Sequence, residues 1–239
     1  MKIKVLTLFP EIYPEFLNSS IVSRTINKGL LEVQIINIRD YSFDKHRHVD
    51  DTPYGGGAGM LMKVDVLHRA LSENRSDDSY VILSSPKASP LKQKDLVRFS
   101  KMDELIIVCG HYEGIDHRFE KYVDEKVSIG DYILTGGEIP SLVLIDGISR
   151  LLDEAIASDS LKEESYNSDL LEYPQYTRPP IYEGDEVPQV LQNGDHKLIR
   201  RYNLKMSLKE TMSYRPDLLE NRQFTDEEKE LMQEIMNEL

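Results

Sequence analysis

Short apolar runs alternate with helically spaced apolar residues over the first 110 positions of the chain. Strand-like runs are followed each time by a segment whose apolar residues recur every three or four positions. The runs are nearly all apolar, which is typical of strands buried on both faces of a mostly parallel sheet. We therefore expect an α/β fold, with strands at 2–8, 32–38, 80–83 and 105–109 and helices at 21–28, 64–71 and 91–99.

The stretch 125–138, EKVSIGDYILTGGE, predicts a strand at 126–129, a tight turn at Gly130 and an apolar run at 132–134. A nearly continuous apolar helix follows at 140–156, which indicates burial, with a subunit interface as one location. Glycine lacks a Cβ, so the backbone at Gly130, Gly136 and Gly137 is able to adopt positive φ and to approach a ligand closely. Such bends suit an adenine-type ring held by main-chain hydrogen bonds. Two turns closing an ordinary sheet remain the alternative for this stretch taken alone.

Polar or glycine-bearing segments follow three of the predicted strands, at 85–86, 110–114 and 128–137. In open parallel sheets, ligands bind at the carboxyl ends of the strands. The convergence of these segments at one edge predicts a ligand cleft there.

The last third of the chain changes character. Residues 159–190 contain acids, tyrosines and prolines without periodicity, which predicts a linker that orders when substrate binds. Residues 191–239 are helical by spacing: Asp195 is placed to cap a helix through residue 205. Two capping boxes are predicted, one at Ser207 and Glu210 and one at Thr225 and Glu228.

The net charge of −13 argues against a nucleic-acid partner, because phosphate binding depends on Lys and Arg. The charge is uneven, however, and the segment 197–215 carries six basic residues against one acid, so charge leaves the partner open. No apolar run approaches the ~20 residues of a membrane span. Cys109, the sole cysteine, lies in an apolar run and is expected to be a buried small hydrophobe, which fits a cytosolic protein.

Three constellations carry possible chemistry. The glycine run 55–59 matches neither a phosphate loop nor a dinucleotide fingerprint, so plain flexibility and a flat surface for a planar base both stay open. His46 and His48 resemble half of a metallo-hydrolase site but lack a second cluster, which favours a polar loop contacting phosphate or a partner. In one interpretation, Arg150 stabilises developing charge and one of the acids at 163–164 acts as general base. In the alternative, Arg150 is a helix arginine paired with a neighbouring acid, and the acids at 163–164 belong to a solvated linker.

Taken together, motifs over nearly the whole chain resemble the bacterial tRNA (guanine-N1)-methyltransferase family of the knotted SPOUT class. Their order and near-family spacing make the resemblance highly specific. The matching motifs are LTLFP (6–10), DKHR (44–47), VDD (49–51), PYGGG (53–57), GM (59–60), CGHYEGID (109–116), SIGDY (128–132), LTGGE (134–138) and LLEYPQYTRP (170–179).

The resemblance implies a methyltransferase domain at 1–158 with a deep trefoil knot at about 83–137 that binds S-adenosylmethionine (SAM). A knot is a rare exception to the usual rules of chain connection, and periodicity does not predict one. The family works as a homodimer with active sites shared between subunits. It methylates N1 of the guanosine immediately 3′ of the anticodon, and its members are described as magnesium-dependent. We accordingly expect tRNA as partner, neither DNA nor membrane, and a cytoplasmic location.

The resemblance also assigns residues by position. Arg150 matches the family's essential arginine and Glu164 its general base, while Ala58 and Gly59 would lie against the target base. Asp50, Lys197, Arg200, Arg201 and Lys205 are expected to contact the tRNA. The residues expected to hold SAM are Leu83, Ser85, Pro86, Gly110, Tyr112, Glu113, Ser128, Ile129, Gly130, Asp131, Tyr132, Ile133, Leu134, Gly136 and Gly137.

The chain departs from the family pattern at the position of the general base. The family has an Asp-Ser-Phe run where this chain has Glu164-Ser165-Tyr166. The longer side chain moves the carboxylate by about one C–C bond, and a misplacement of ~1 Å can cost ~100-fold in rate. Glu163 is an alternative base, and Ala58 replaces the usual Pro or Gln. A paralogue acting on another substrate, a non-catalytic RNA-binding protein that retains SAM, and a metal-dependent hydrolase are the rival functions.

Overall fold

The computed structural model describes residues 1–153, 155, 165–166 and 170–238. It divides into two compact units, Met1–Ile156 and Ala157–Leu239. Each unit has a hydrophobic core of its own.

The first unit is built on a five-stranded parallel sheet in the order β2-β1-β6-β5-β7. The predicted mostly parallel α/β fold is confirmed. Two short strands, β3 and β4, pair antiparallel within the segment expected to be a plain loop, at 40–62. The strands of this unit are β1 (Lys2–Thr7), β2 (Glu32–Asn37), β3 (Asp50–Asp51), β4 (Leu61–Met62), β5 (Ser79–Ser84), β6 (Glu104–Cys109) and β7 (Glu125–Val127).

Helices cover both faces of the sheet. Alternate residues of β6 point to opposite faces, so Leu105 and Ile107 belong to one buried cluster and Ile106 and Val108 to the other. A strand buried on both faces needs an apolar residue at every position, which explains the unbroken apolar runs of the sequence. The helices are α1 (Tyr13–Leu17), α2 (Ser20–Asn27), α3 (Val64–Asn74), α4 (Gln93–Phe99) and α5 (Glu138–Ser149), with a 3-10 helix at His117–Tyr122.

Helix α5 is shorter than the predicted 140–156. After Ser149 the chain continues in tight turns, in which the amides of Leu151 and Leu152 donate to carbonyls three residues earlier. Apolar spacing persists through this segment because its side chains still pack on the core, so periodicity alone did not locate the helix end.

A polar cluster lies beneath the strands at the amino side of the sheet. Lys4 Nζ is 2.9 Å from Glu104 Oε2 and donates to the Asn74 carbonyl at 2.6 Å. Ser76 and Ser79 donate to the other Glu104 oxygen. Both charged side chains are almost completely buried, so each depends on these partners.

The second unit contains a β-hairpin of β8 (Ile181–Tyr182) and β9 (Asp185–Glu186) and two longer helices, α6 (His196–Tyr214) and α7 (Asp226–Asn237). The predicted capping box at Thr225 and Glu228 is confirmed. The one at Ser207 and Glu210 is wrong, because α6 runs through both positions and Ser207 is buried beside Leu208. Burial of that face against α7 outweighs the local capping signal.

Candidate functional site

Three loops meet at the carboxyl edge of the sheet, as the sequence predicts. The Gly137 amide donates to the Gly110 carbonyl at 2.8 Å, and His111 pairs with Gly136 in an antiparallel bridge. The Ser85 amide donates to the Val127 carbonyl at 2.9 Å, so the loop after β5 is tied to β7. The strand ends therefore position loops 85–90, 110–114 and 128–137 as one group.

The glycines of the TGGE turn have no room for a side chain. A Cβ on Gly137 would lie 2.6 Å from the Cys109 Cα, and one on Gly136 would lie 2.3 Å from Glu138 Oε2. Such close approach packs the turn directly against the end of β6 and against the imidazole of His111. The cradle for an adenine-type ring that the sequence predicts in this turn stays a prediction.

The neighbouring turn is held by Ser128, which is buried. Its hydroxyl donates to the Gly130 carbonyl at 3.0 Å and accepts from the Gly130 amide at 3.2 Å. Gly130 has a φ of 154°, and a Cβ there would strike the Tyr132 ring at 2.4 Å. Tyr132, Ile133 and Leu134 are exposed, Ile133 to 80 %. They offer an apolar surface to a ligand or a partner.

The glycine loop expected to contact the target base joins this site through Glu113. A Cβ on Gly59 would lie 2.2 Å from Glu113 Cγ, so the two residues are in direct contact. The Glu113 amide also donates to the Met60 carbonyl at 3.1 Å. Tyr112, beside it, has a φ of 58°, a conformation that is strained for a residue with a side chain. The structure thus brings Gly59 together with the loop at 110–114.

The remaining predicted donor-binding residues occupy three settings. Leu83 is buried at the end of β5, Pro86 is exposed just after it, and Asp131 is exposed in the turn at 128–132. Ile129 accepts at its carbonyl from the Tyr132 hydroxyl at 3.2 Å. Each therefore lies in or beside the loops of the carboxyl edge.

A buried polar network under these loops was missed by sequence reasoning. Thr7 Oγ1 donates to Glu138 Oε1 at 2.8 Å, and the Tyr13 hydroxyl lies 2.8 Å from Ser141 Oγ and 3.6 Å from Cys109 Sγ. Burial, together with the nearby Glu138 carboxylate, raises the pKa of Cys109 to about 12, so the thiol is neutral at pH 7. The sequence signal that could have revealed this network was Glu138, an acidic residue at the start of a buried helix and directly after two glycines.

The predicted catalytic pair is described only in part. Arg150 is half-buried and forms the C-cap of α5, where its amide donates to the Asp146 carbonyl at 3.2 Å. Glu164 and the alternative base Glu163 lie outside the described residues. Ser165 and Tyr166, which follow the base, are described: Ser165 exchanges hydrogen bonds with Glu172, and the Tyr166 amide donates to the Leu170 carbonyl at 3.1 Å.

The basic residues of α6 that were expected to meet RNA are largely paired with glutamates of α7. Arg200 contacts Glu227 at 2.7 Å, and Lys205 lies 3.0 Å from Glu234 and 2.6 Å from Glu238. Arg201 joins the same row, 2.5 Å from Glu234. Lys197 is exposed and makes no ion pair within the described part of the chain. The acidic helix α7 thus neutralises much of the basic face of α6.

The segment 40–62 holds the remaining candidates. His48 hydrogen-bonds Asp44, and within the described ranges no group of three or more His, Cys, Asp or Glu side chains is arranged to hold a metal ion. Asp50, in β3, is half-buried, and Ala58 is exposed. A cavity of about 370 Å³ opens nearby without including any predicted site residue; it is lined by Asp51, Thr52, Pro53, Tyr54, Leu61, Met62, Lys63, Val64, Asp65, Asp116 and Arg118.

Comparison with known proteins shows similarity to one family along almost the full length of the chain. The sequence profile of the family described as "tRNA (Guanine-1)-methyltransferase TrmD" matches residues 1–221. A tRNA (guanine-N(1)-)-methyltransferase of Syntrophomonas wolfei is 50% identical over 99% of this chain and 97% of its own. Proteins of the same name from Clostridium botulinum and Dictyoglomus turgidum are 46% and 45% identical, each over all of this chain and 100% and 98% of their own.

The parallel sheet with its glycine-bearing edge defines an α/β protein of the open-sheet class, in which ligands generally bind at the carboxyl ends of the strands. The chain belongs to the tRNA (guanine-1)-methyltransferase family. Among the helices of the described ranges, none is both long and apolar enough to cross a membrane.

Proposed function

We propose that this chain transfers a methyl group from SAM to N1 of the guanosine immediately 3′ of the anticodon in tRNA. The observation that carries the proposal is the side-chain-free turn at Gly136 and Gly137, packed against Cys109 and Gly110 in a chain of this family. A turn of this kind presents main-chain donors and acceptors to a purine ring.

SAM, when bound, supplies an electrophilic methyl group on a sulfonium. The chain's task is then to align that methyl with the target nitrogen and to make the nitrogen nucleophilic. The main chain at 128–137 holds the adenine, while Tyr112 and Glu113 border the ligand from the adjoining loop. Gly59, in contact with Glu113, places the target base beside the donor.

The nitrogen needs a base because N1 of neutral guanine carries a proton and has no lone pair free for attack. Glu164 removes that proton, and the charge that develops on O6 is stabilised by the Arg150 guanidinium. Arg150 follows directly on α5, a helix buried in the core, so its main chain has a fixed position. No step of this chemistry is assigned to the magnesium ion that the family resemblance implies.

A knotted path at about 83–137 within domain 1–158 is part of the proposal. Its support is the contact of Gly137 with the Cys109 main chain, which places the start of α5 against the end of β6.

A homodimer is supported by α5, where Ile139 and Val143 lie one turn apart and are 51 % and 40 % exposed. Residues 191–239 form the tRNA-binding domain, which a linker at 159–190 joins to the methyltransferase domain. The enzyme works in the cytoplasm.

Methyl transfer from labelled SAM to unmodified tRNA, followed by nucleoside analysis, tests the proposal. We expect 1-methylguanosine at the position 3′ of the anticodon. A label at another position would identify a paralogue with a different substrate. SAM binding without transfer would identify a non-catalytic RNA-binding protein.

Two variants test the catalytic roles. Glu164→Gln is expected to abolish transfer and Arg150→Ala to reduce it severely, both with SAM affinity unchanged. Glu163→Gln is the matched control for the base, and its turnover should equal that of the parent. Activity retained in Glu164→Gln but lost in Glu163→Gln would move the role to Glu163.

A further inference from the structure

Two polar groups face each other under the loops of the carboxyl edge. His111 Nδ1 lies 3.9 Å from Glu138 Oε2, and the Glu138 side chain is only 6 % exposed. Nδ1 is itself buried and has no hydrogen-bond partner within the part of the chain described. The other carboxylate oxygen, Oε1, already accepts from Thr7 at 2.8 Å. A buried ring nitrogen without a hydrogen-bond partner costs free energy of folding. The position of this nitrogen close to a carboxylate therefore requires an explanation.

Gly136 lies between these two groups. A Cβ on Gly136 would be 2.3 Å from Glu138 Oε2 and 2.5 Å from His111 Nδ1. The His111 main chain also bridges to Gly136, so the imidazole belongs to one loop and borders the other. Contacts with the rings of Phe9 and Tyr112, at centroid distances of 4.8 and 5.0 Å, restrict the imidazole to this place.

The carboxylate is fixed from the opposite side. Glu138 is the first residue of α5, where the helix dipole favours a negative charge. The Thr7 hydroxyl that it accepts from lies at the end of β1, and that hydroxyl in turn accepts from the Phe9 amide at 3.0 Å. Glu138 is therefore a rigid anchor joined to the sheet, and His111 is the group on the 110–114 loop that faces it.

We propose that His111 is a positioning residue for the methyl donor. Its Nδ1–H donates to Glu138 Oε2, and this bond fixes the separation of the 110–114 loop from the turn at Gly136. A closure on the order of 1 Å brings the two atoms from 3.9 Å to hydrogen-bond distance. The main-chain groups on the two loops then keep the spacing that the donor requires. The inference rests on the proposed function only in placing SAM between these loops.

The test exploits the difference between the two ring nitrogens of histidine. In His111→Asn the amide nitrogen takes the place of Nδ1, whereas in His111→Gln it takes the place of Nε2. We expect His111→Gln to raise the Kd for SAM by about fivefold, and His111→Asn to stay within about twofold of the parent. Calorimetric titration without tRNA gives Kd, and steady-state kinetics should show a higher KM for SAM with kcat unchanged.

A matched variant completes the design. His117→Gln makes the same change at a histidine that is 91 % exposed, and its SAM affinity should equal that of the parent. Thermal unfolding of every variant shows whether it is folded.

Equal weakening in His111→Asn and His111→Gln would overturn the inference, because the imidazole would then act by its shape alone. Parent-like affinity in both variants would overturn it as well. Either result leaves the proposed function standing, since that fails only if the unsubstituted protein does not bind SAM or does not methylate tRNA.

Discussion

Gly137 approaches Cys109 more closely than any residue with a side chain could. A Cβ at position 137 would lie 2.6 Å from the Cys109 Cα and 3.0 Å from its Cβ. The neighbour is main chain at the end of a central strand, so it is unable to move aside. The contact joins the start of α5 to the end of β6 and closes the proposed donor site from below.

Gly137→Ala should therefore abolish SAM binding and lower the free energy of unfolding by about 2 kcal/mol, as overpacking does in a rigid core. Calorimetric titration and denaturant unfolding measure the two effects. Gly29→Asn is the control, because nothing lies within 4 Å of a Cβ there and Asn tolerates the φ of 72°. SAM affinity equal to the parent in Gly137→Ala would place the donor elsewhere.

Glu164→Asp tests whether the site is fitted to the longer base of this chain. The Ser165 amide donates to the Glu172 carboxylate, the Ser165 hydroxyl accepts from the Glu172 amide, and the Tyr166 amide donates to the Leu170 carbonyl, so these bonds restrain the backbone after the base. Shortening the side chain by one C–C bond should then lower the single-turnover rate by 10- to ~100-fold. Unchanged SAM affinity is the internal check. A rate equal to or above that of the parent would show that the site is built for the family's usual Asp.

Glu234→Gln tests whether the paired cations of α6 serve tRNA. Glu234 contacts both Arg201 and Lys205, so removing its charge takes one of two carboxylate partners from each cation, leaving Glu230 beside Arg201 and Glu238 beside Lys205. We expect tighter tRNA binding, with the slope of log affinity against log salt steeper by about one. Asp226→Asn is the control. It also removes one negative charge from α7, but the partner of Asp226 is Lys229 on the same helix, so no cation of α6 is affected. Unchanged affinity and slope in Glu234→Gln would remove Arg201 and Lys205 from the RNA-binding surface.

Glu104→Gln tests the buried pair under the sheet. Burial by itself raises the pKa of Glu104, but hydrogen bonds from Ser79, Lys4 and Ser76 outweigh it and leave the pKa below its usual range. A carboxyl whose pKa is lowered by folding stabilises the protein above its unfolded pKa, about 4.3, and loses that contribution as the pH falls through the folded pKa.

The variant should thus lose about 3 kcal/mol of unfolding free energy at pH 7, because Lys4 is left buried without its partner. The difference from the parent should shrink as the pH falls below ~4.3, where Glu104 of the unfolded parent takes up a proton, and should be smallest once the pH passes the lower pKa of Glu104 in the folded protein. Denaturant unfolding across this range measures it. Glu32→Gln breaks the exposed pair with Lys2 and should cost at most ~0.5 kcal/mol. A constant difference between Glu104→Gln and the parent from pH 7 to pH 3 would contradict the linkage.

The amino-acid sequence by itself determined the strands and most helices of the first unit. Apolar runs located β1, β2, β5 and β6 to within one residue, since a strand buried on both faces leaves its pattern at every position. It also pointed to the glycines at 136 and 137 as places of close backbone approach, but Gly137 has a φ of −83° and approaches the Cys109 main chain rather than adopting the positive φ considered from the sequence. The family motifs, which depend on chemistry rather than periodicity, identified the class of protein.

Tertiary structure alone decided which groups face each other across the chain. Periodicity does not give the order β2-β1-β6-β5-β7, nor the meeting of His111 with Glu138, which are 27 positions apart but 3.9 Å from each other. Ser207 looked like a helix start until burial against α7 made it the middle of one. The basic residues of α6 looked free for RNA until the fold set the glutamates of α7 beside them. Local patterns record what each residue prefers, whereas its partners are fixed only when distant segments pack.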